Sequence, residues 1–579
     1  MRAFASAAAL AGLLAFASPA SAADCPNSAA AVVPGAERQE QACLDDLTTA
    51  GTQTNGHTDR SDWEGLNAQG TKNPTGIPGL QVDGYFPDTS TTNATHGWNH
   101  DSQFVIRMPN DWNGKLVVTG APGVRKQYAS DFVIGDFVLG RGYAYASTDK
   151  GNTGTEFYED GAAPGDAIAE WNRRVTELTV AAKETLARRY GRAPVRTYVT
   201  GISNGGYLTR WQLENRPDLY DGGVDWEGTL FDSAPGLNLL SFLPPALRNF
   251  PHYRATGDAA AHDAIIAAGF APGSEFLWDD HYAVYWDLTQ RTYREELDPD
   301  WDGAMQAGTP FCQSGMPSCD ADYDYGSRQG TVRAAIDKVA NTGKIGKPLL
   351  TLHGTLDTLL PIRVDSDVYA RKVAATGAGA LHRYYVIDKG NHVDGRYDAF
   401  PDRLRPVLPC HHTAFVALER WVEQGAAPPD TQFVPKPNGG DVVNSCELAP
   451  AASAGGGPTV PGGQARRPRG RLRVTVTPRR DRRRPFRFRT RGRLLRPAGV
   501  SAASGCRGTV TVQVKAGRRT ISARRARLRR TCRFSSRVTF RRAARLGRGR
   551  LKFVVRFSGN RAVAPGSART VRVRAGMRH

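Results

Sequence analysis

About a third of the way along the chain an apolar run, Tyr198-Val199-Thr200, enters Gly201-Ile202-Ser203-Asn204-Gly205-Gly206, and a helical pattern with Tyr207, Leu208, Trp211 and Leu213 follows. Strand, Gly-x-Ser-x-Gly turn and helix, in that order, are the parts of a nucleophile elbow, which lifts a serine hydroxyl above the end of a sheet. The turn strains the serine backbone, so small residues must flank it. The helix start behind Ser203 supplies positive potential where an oxyanion would form. A serine hydroxyl attacks a carbonyl only when a base takes its proton, and a carboxylate must orient that base. Two later stretches offer these groups. His353-Gly354-Thr355-Leu356-Asp357 ends one apolar run, and Asp388-Lys389-Gly390-Asn391-His392 ends another. Ser203, Asp357 and His392 are therefore the expected triad, in the chain order serine, acid, histidine. Glu227 is a rival acid, and His353, His411 and His412 are rival bases. The expected oxyanion donors are the backbone N–H of Asn204 and one from Gly120-Ala121-Pro122-Gly123. Pro122 has no N–H, which leaves Ala121 or Gly123, with Ala121 preferred.

The elements that must position these groups follow from periodicity. Short apolar runs at 104–108, 115–119, 142–147, 195–200, 223–226, 348–353 and 383–387 read as strands. Between 167 and 190 Ile168, Trp171, Val175, Leu178 and Leu186 recur at helical spacing, with Asp166 as the expected cap. A last helix is expected over 413–422. The alternation predicts an α/β fold with a mainly parallel sheet and helices on both faces. Residues 23–100 read as an irregular N-terminal extension, 101–450 as the hydrolase region, and about 228–346 as an aromatic-rich inserted lid. Residues 451–463 form a Gly/Ala/Pro linker, and 464–579 alternate β-formers with arginine like a small immunoglobulin-like β-sandwich.

Charge separates these regions. The chain carries 76 Lys and Arg against 56 Asp and Glu, a formal charge of +20. Residues 464–579 hold 38 of those basic residues and one acid, Asp481, leaving 38 basic and 55 acidic residues before them. An acidic body thus precedes a basic domain. That domain is a candidate for contact with an anionic polymer, but it lacks the patterns of specific nucleic-acid readers. Residues 1–22 read as a secretory signal ending Ala20-Ser21-Ala22, and no later run is apolar enough to span a membrane. Eight cysteines fit an oxidising compartment. Proximity pairs Cys25 with Cys43, Cys312 with Cys319, Cys410 with Cys446, and Cys506 with Cys532.

With these motifs the region from about 104 to 422 resembles the α/β-hydrolase superfamily. The elbow, Gly142-Tyr143-Ala144-Tyr145-Ala146-Ser147-Thr148-Asp149 and the inserted lid are similar to those of secreted tannases and feruloyl esterases, and of extracellular 3-hydroxybutyrate oligomer hydrolases. The resemblance implies ester hydrolysis through an acyl-enzyme, on aromatic-acid esters or hydroxyalkanoate oligomers, with no cofactor. Where the tannase-type pattern carries two disulfide-bonded cysteines, this sequence has Ile202 and Val393. The resemblance also brings to mind calcium in the lid, but Asp320-x-Asp322-x-Asp324 has Tyr325 where a calcium loop needs Gly. A solvated acidic loop, and no metal, is expected there. The competing readings are an exported peptidase of the same fold and a non-catalytic binding protein.

Overall fold

A computed structural model describes residues 25–301, 319–449 and 471–496, and most of 501–575. The expected signal peptide, the linker 451–463 and the Cys312 end of the expected Cys312–Cys319 bridge lie outside the described residues. The chain divides into two compact units, Met1–Pro461 and Gly462–His579.

The first unit is built on one ten-stranded sheet. Its strands are β1 (Arg38–Leu44), β2 (Gly79–Tyr85), β3 (Gln103–Pro109), β4 (Lys115–Gly120), β5 (Ala144–Thr148), β6 (Arg196–Ile202), β7 (Gly222–Trp226), β8 (Leu349–Gly354), β9 (His382–Ile387) and β10 (Gln432–Val434). They are ordered β1-β2-β3-β5-β4-β6-β7-β8-β9-β10. β1, β2 and β3 run antiparallel to their neighbours, and everything from β5 to β10 is parallel. This mixed sheet, reversing direction beyond β4 and β5, is α/β-hydrolase-like.

The parallel strands read as near-continuous apolar runs because both faces are covered. On one face Leu116, Val118, Val199 and Leu349 pack with Trp171, Val175 and Leu178 of the helix Asp166–Tyr190 and Leu208 of the helix Asn204–Asn215. On the other, Val117, Tyr198, Val224 and Leu350 pack with Phe415 and Leu418 of the helix Leu408–Gln424. The long helix is capped by Gly165, in a left-handed conformation, rather than by Asp166. The Asp166 carboxylate instead accepts the N–H groups of Ala162 and Ala163 and pairs with Lys338.

Two differences from the sequence expectation concern the sheet edges. The segment read as an irregular N-terminal extension supplies β1 and β2, with Leu44, Leu80 and Val82 in the core. Its pattern is masked by polar residues facing inward. Gln81 accepts from Arg107 Nε at 2.9 Å, and Asp83 accepts from the Tyr128 hydroxyl at 2.6 Å. At the other edge β10 follows the expected last helix and extends the sheet past β9.

Between β7 and β8, where the lid is expected, the described residues include helices Leu239–Thr256, Ala259–Ala268, Asp287–Leu297 and Tyr325–Val339. Phe250, Trp278, Trp286 and Phe270 pack ring against ring and continue the core on that face of the sheet. Asp320 pairs with Arg294 at 3.1 Å, and Asp324 accepts the N–H of Gly326 at its helix start, so these acids have structural partners. Disulfides join Cys25 to Cys43 and Cys410 to Cys446. No helix among the described residues is long and apolar enough to cross a membrane.

The second unit is all-β. One sheet is ordered β11 (Arg471–Thr477), β13 (Phe486–Leu495), β16 (Arg533–Phe540). The other is ordered β12 (Arg480–Asp481), β19 (Val571–Ala575), β17 (Arg550–Phe557), β14 (Thr509–Ala516), β15 (Arg519–Arg527), with β18 (Gly566–Ser567) paired to β17. Their inward residues, among them Phe488, Phe534, Val512 and Phe553, share one core with the Cys506–Cys532 disulfide.

Candidate active site

Ser203 sits between β6 and the helix Asn204–Asn215 with φ 57° and ψ −120°, a strained left-handed conformation for a non-glycine residue. The turn closes only because its flanks lack side chains. A Cβ on Gly201 would lie 2.4 Å from the Gly205 carbonyl carbon, and one on Gly205 would lie 2.6 Å from the Gly120 carbonyl oxygen. Neither backbone neighbour can yield. Gly205→Ala is expected to lower stability by about 3 kcal/mol, the upper end of overpacking costs, read as a lowered urea midpoint at unchanged slope. A midpoint equal to wild type would show that the turn is looser than described.

The side chains expected to act together do meet. His392, on the loop after β9, has Nε2 2.9 Å from Ser203 Oγ and Nδ1 2.9 Å from Asp357 Oδ2. Asp357, on the loop after β8, is held by the N–H groups of Leu359 and Leu360, which donate to Oδ1 at 2.8 and 2.7 Å. Burial disfavours its charge, but His392 and His353 outweigh burial and hold its carboxyl well below the usual range. His353 is thus a buttress. Its Nε2 lies 3.2 Å from Asp357 Oδ2, and its Nδ1 is 2.6 Å from the Ser366 hydroxyl. His411 contacts the Thr200 hydroxyl beneath the sheet, His412 donates to the Val133 carbonyl, and burial lowers both pKa values, to about 3 and about 4.

Glu227, the rival acid, is also present in the site. Its Oε1 accepts the Gly354 N–H at 2.5 Å, while Oε2 lies 3.7 Å from His392 Nδ1. Burial, then the neighbouring Asp357 charge, push its pKa well above the ordinary value. Two carboxyl groups this close cannot both ionise, and Asp357, with more donors, keeps the charge. Glu227 is the neutral member. Glu227→Gln keeps shape and neutrality, so kcat/KM is expected within about fivefold of wild type. A loss of several thousandfold would make Glu227 the orienting acid.

A buried ion cluster fixes these loops beneath the site. Arg210, from the helix after Ser203, donates to Asp225 at 2.6 Å, to Asp365 at 3.0 Å and to the Ser366 hydroxyl at 2.7 Å. It therefore joins the nucleophile helix to β7 and to the segment following Asp357.

The oxyanion donors differ from expectation at one position. Asn204 opens its helix, where a backbone N–H has no intrahelical acceptor. Ala121, by contrast, donates its N–H to the Thr148 carbonyl at 3.0 Å and is not free for an oxyanion. Gly123, at φ 53°, faces the pocket beside Ser203 and is the remaining donor in that loop. The sequence gives no hint of the part played by the Asn204 side chain. Its Nδ2 donates to the Gly123 carbonyl at 3.0 Å, and its Oδ1 accepts from the Tyr293 hydroxyl of the lid at 3.0 Å. Tyr293→Phe removes the lid's hold on this loop. We expect kcat to fall about tenfold with KM nearly unchanged, the worth of one neutral hydrogen bond. Unchanged kcat would show that the oxyanion loop is rigid without the lid.

The pocket above Ser203 has a volume of about 350 Å³. Leu66, Leu239, Tyr285, Leu288, Leu359 and Val393 give it apolar walls. Arg125 also lines it, with its guanidinium donating to the carbonyls of Asp62 and Glu64. Such a site takes a small, largely apolar group beside a polar reaction centre.

Residues 89–226 match the family model described as tannase and feruloyl esterase, so the resemblance read from the sequence holds over a segment containing the elbow. A stretch of 143 residues is 29% identical to mono(2-hydroxyethyl) terephthalate hydrolase of Piscinibacter sakaiensis, covering 22% of this chain and 23% of that protein. A stretch of 121 residues is 31% identical to D-(-)-3-hydroxybutyrate oligomer hydrolase of Polaromonas sp., covering 20% and 17%. The chain thus spans about a fifth of the length of the curated relatives it matches. Among solved structures it is similar to feruloyl esterase B from Aspergillus oryzae, at 15% identity over 63% of this chain and 86% of that one, with a TM-score of 0.43.

Proposed function

We propose that the protein is a carboxylic ester hydrolase that works through an acyl-enzyme on Ser203. The observation that carries this reading is the unbroken chain from Asp357 through His392 to Ser203 Oγ, which opens into an apolar pocket. His392 takes the hydroxyl proton as Oγ attacks the ester carbonyl. Its Nδ1–H points at the ionised Asp357, which fixes the tautomer and stabilises the imidazolium. The N–H groups of Asn204 and Gly123 receive the oxyanion. Collapse expels the alcohol with the proton from His392. Water, activated by the same histidine, then releases the acid and restores Ser203.

The substrates we assign are esters of aromatic acids or of hydroxyalkanoates. The apolar pocket supports either acyl group, and the matched relatives are named for one of each. We also read residues 1–22 as a cleaved export signal and the second unit as an immunoglobulin-like sandwich that follows the hydrolase in sequence. N-terminal sequencing of exported protein beginning at Met1 would refute the signal.

A matched panel tests the activity: an aryl-acid ester, a 3-hydroxybutyrate dimer, and an amide with the same acyl group. The expected result is turnover of at least one ester, with the amide at least about a thousandfold slower in kcat/KM. Comparable or faster amide cleavage would make the protein a peptidase.

A further inference from the structure

The exposed face of the sheet β11-β13-β16 is an arginine surface. Arg473, Arg493 and Arg533 lie side by side across all three strands, each opposite the next. Arg489 faces Arg537 in the same way, and Arg491 sits between Thr475 and Ser535. Neighbouring side chains on one sheet face stand about 4.8 Å apart across strands and roughly 6.7 Å apart along them. Like charges directly opposite each other destabilise a sheet. Arg491 and Arg537 lower the pKa of Arg489, although its side chain reaches solvent.

Among the described residues, none of Arg473, Arg489, Arg491, Arg493, Arg533 and Arg537 forms an ion pair. Asp481, the one acid in positions 471–575, is committed to the backbone N–H groups of Arg483 at 3.2 Å and Arg487 at 2.7 Å. The other sheet also sets like charges opposite each other, Arg480, Arg574 and Arg550 in one row and Lys515, Lys552 and Arg572 in another, but Thr511, Gln513 and Val554 interrupt its face. A groove of about 1440 Å³ follows the arginine face, with Arg473, Arg491, Arg493 and Arg533 in its wall.

The chemistry of the face narrows the occupant. Its outward positions over 473–477, 487–493 and 533–539 are arginine, threonine and serine only. Nucleobases would need aromatic platforms or side chains that read base edges, and a duplex would need an inserted helix or ribbon. The face has none of these. Guanidinium forks alternating with hydroxyls are the groups that hold phosphate oxygens. We propose that this face docks a linear polyol-phosphate chain, gripping its phosphodiester backbone and ignoring what lies between the phosphates.

The test is fluorescence anisotropy of the full-length protein with labelled poly(glycerol phosphate). If about six phosphates are engaged, affinity should fall roughly 300-fold between about 50 and about 200 mM salt, at the slope for single chains. The variant R473Q/R491Q/R493Q/R533Q should lose at least about tenfold in affinity and show a shallower slope. The variant R525Q/K552Q/R556Q/R572Q, which removes the same charge from the other sheet, should stay within about threefold of wild type. Should the first variant fail to fold, R491Q/R493Q carries the same expectation. Equal losses in both variants would overturn the proposal, since total charge and not this face would then bind. Tighter binding of single-stranded DNA of equal phosphate number, or of polygalacturonate, would overturn it too.

Discussion

Ser203→Ala yields a folded protein whose turnover of p-nitrophenyl acetate is lower by about a millionfold in kcat, near the residual rate left by the oxyanion hole and binding alone. The size of this effect follows from the geometry. Ser203 Oγ has its base at 2.9 Å, and the elbow holds the hydroxyl at the mouth of the pocket. The substitution removes one oxygen from a residue whose backbone is already fixed by Gly201 and Gly205, so the melting temperature should move little. Activity within about tenfold of wild type would mean that another group performs the attack.

Asp357→Asn is expected to cost about ten-thousandfold in kcat with little change in KM. The asparagine would keep the shape of the loop, and its oxygen could still accept from Leu359 and Leu360. An amide facing His392 favours the wrong tautomer, however, and gives the imidazolium no counter-charge. The loss also removes the charge that, after burial, raises the Glu227 pKa, so ionisation of Glu227, 3.7 Å from His392 Nδ1, becomes easier. A double variant, Asp357→Asn with Glu227→Gln, separates the two acids. If it is slower than Asp357→Asn alone, Glu227 partly substitutes for the missing carboxylate. If Asp357→Asn retains nearly full activity, Asp357 is not the orienting acid.

The proposed triad is legible because each member closes an apolar run that reads as a buried parallel strand. Ser203 follows β6, Asp357 follows β8 and His392 follows β9, so a single sheet edge gathers them. What sequence could not give is register one residue beyond a strand end. Ala121 is an available donor by sequence, yet its N–H continues the β4–β5 contact to Thr148, which leaves Gly123 as the proposed donor. The first two strands were hidden for a different reason. Gln81 and Asp83 face inward and are satisfied by Arg107 and Tyr128, partners that lie more than twenty residues away. Tyr293 was one of many lid aromatics until its hydroxyl met Asn204, 89 positions earlier. The charge state of Glu227 likewise depends on Asp357, a neighbour only in the fold.

The most direct measurement is the intact mass of the protein after reaction with an aryl sulfonyl fluoride, followed by peptide mapping. The account predicts one adduct per chain, on Ser203, appearing together with loss of ester hydrolysis, and no adduct in Ser203→Ala. Full ester hydrolysis by protein that takes up no label, or a label on any other residue as activity disappears, would contradict it.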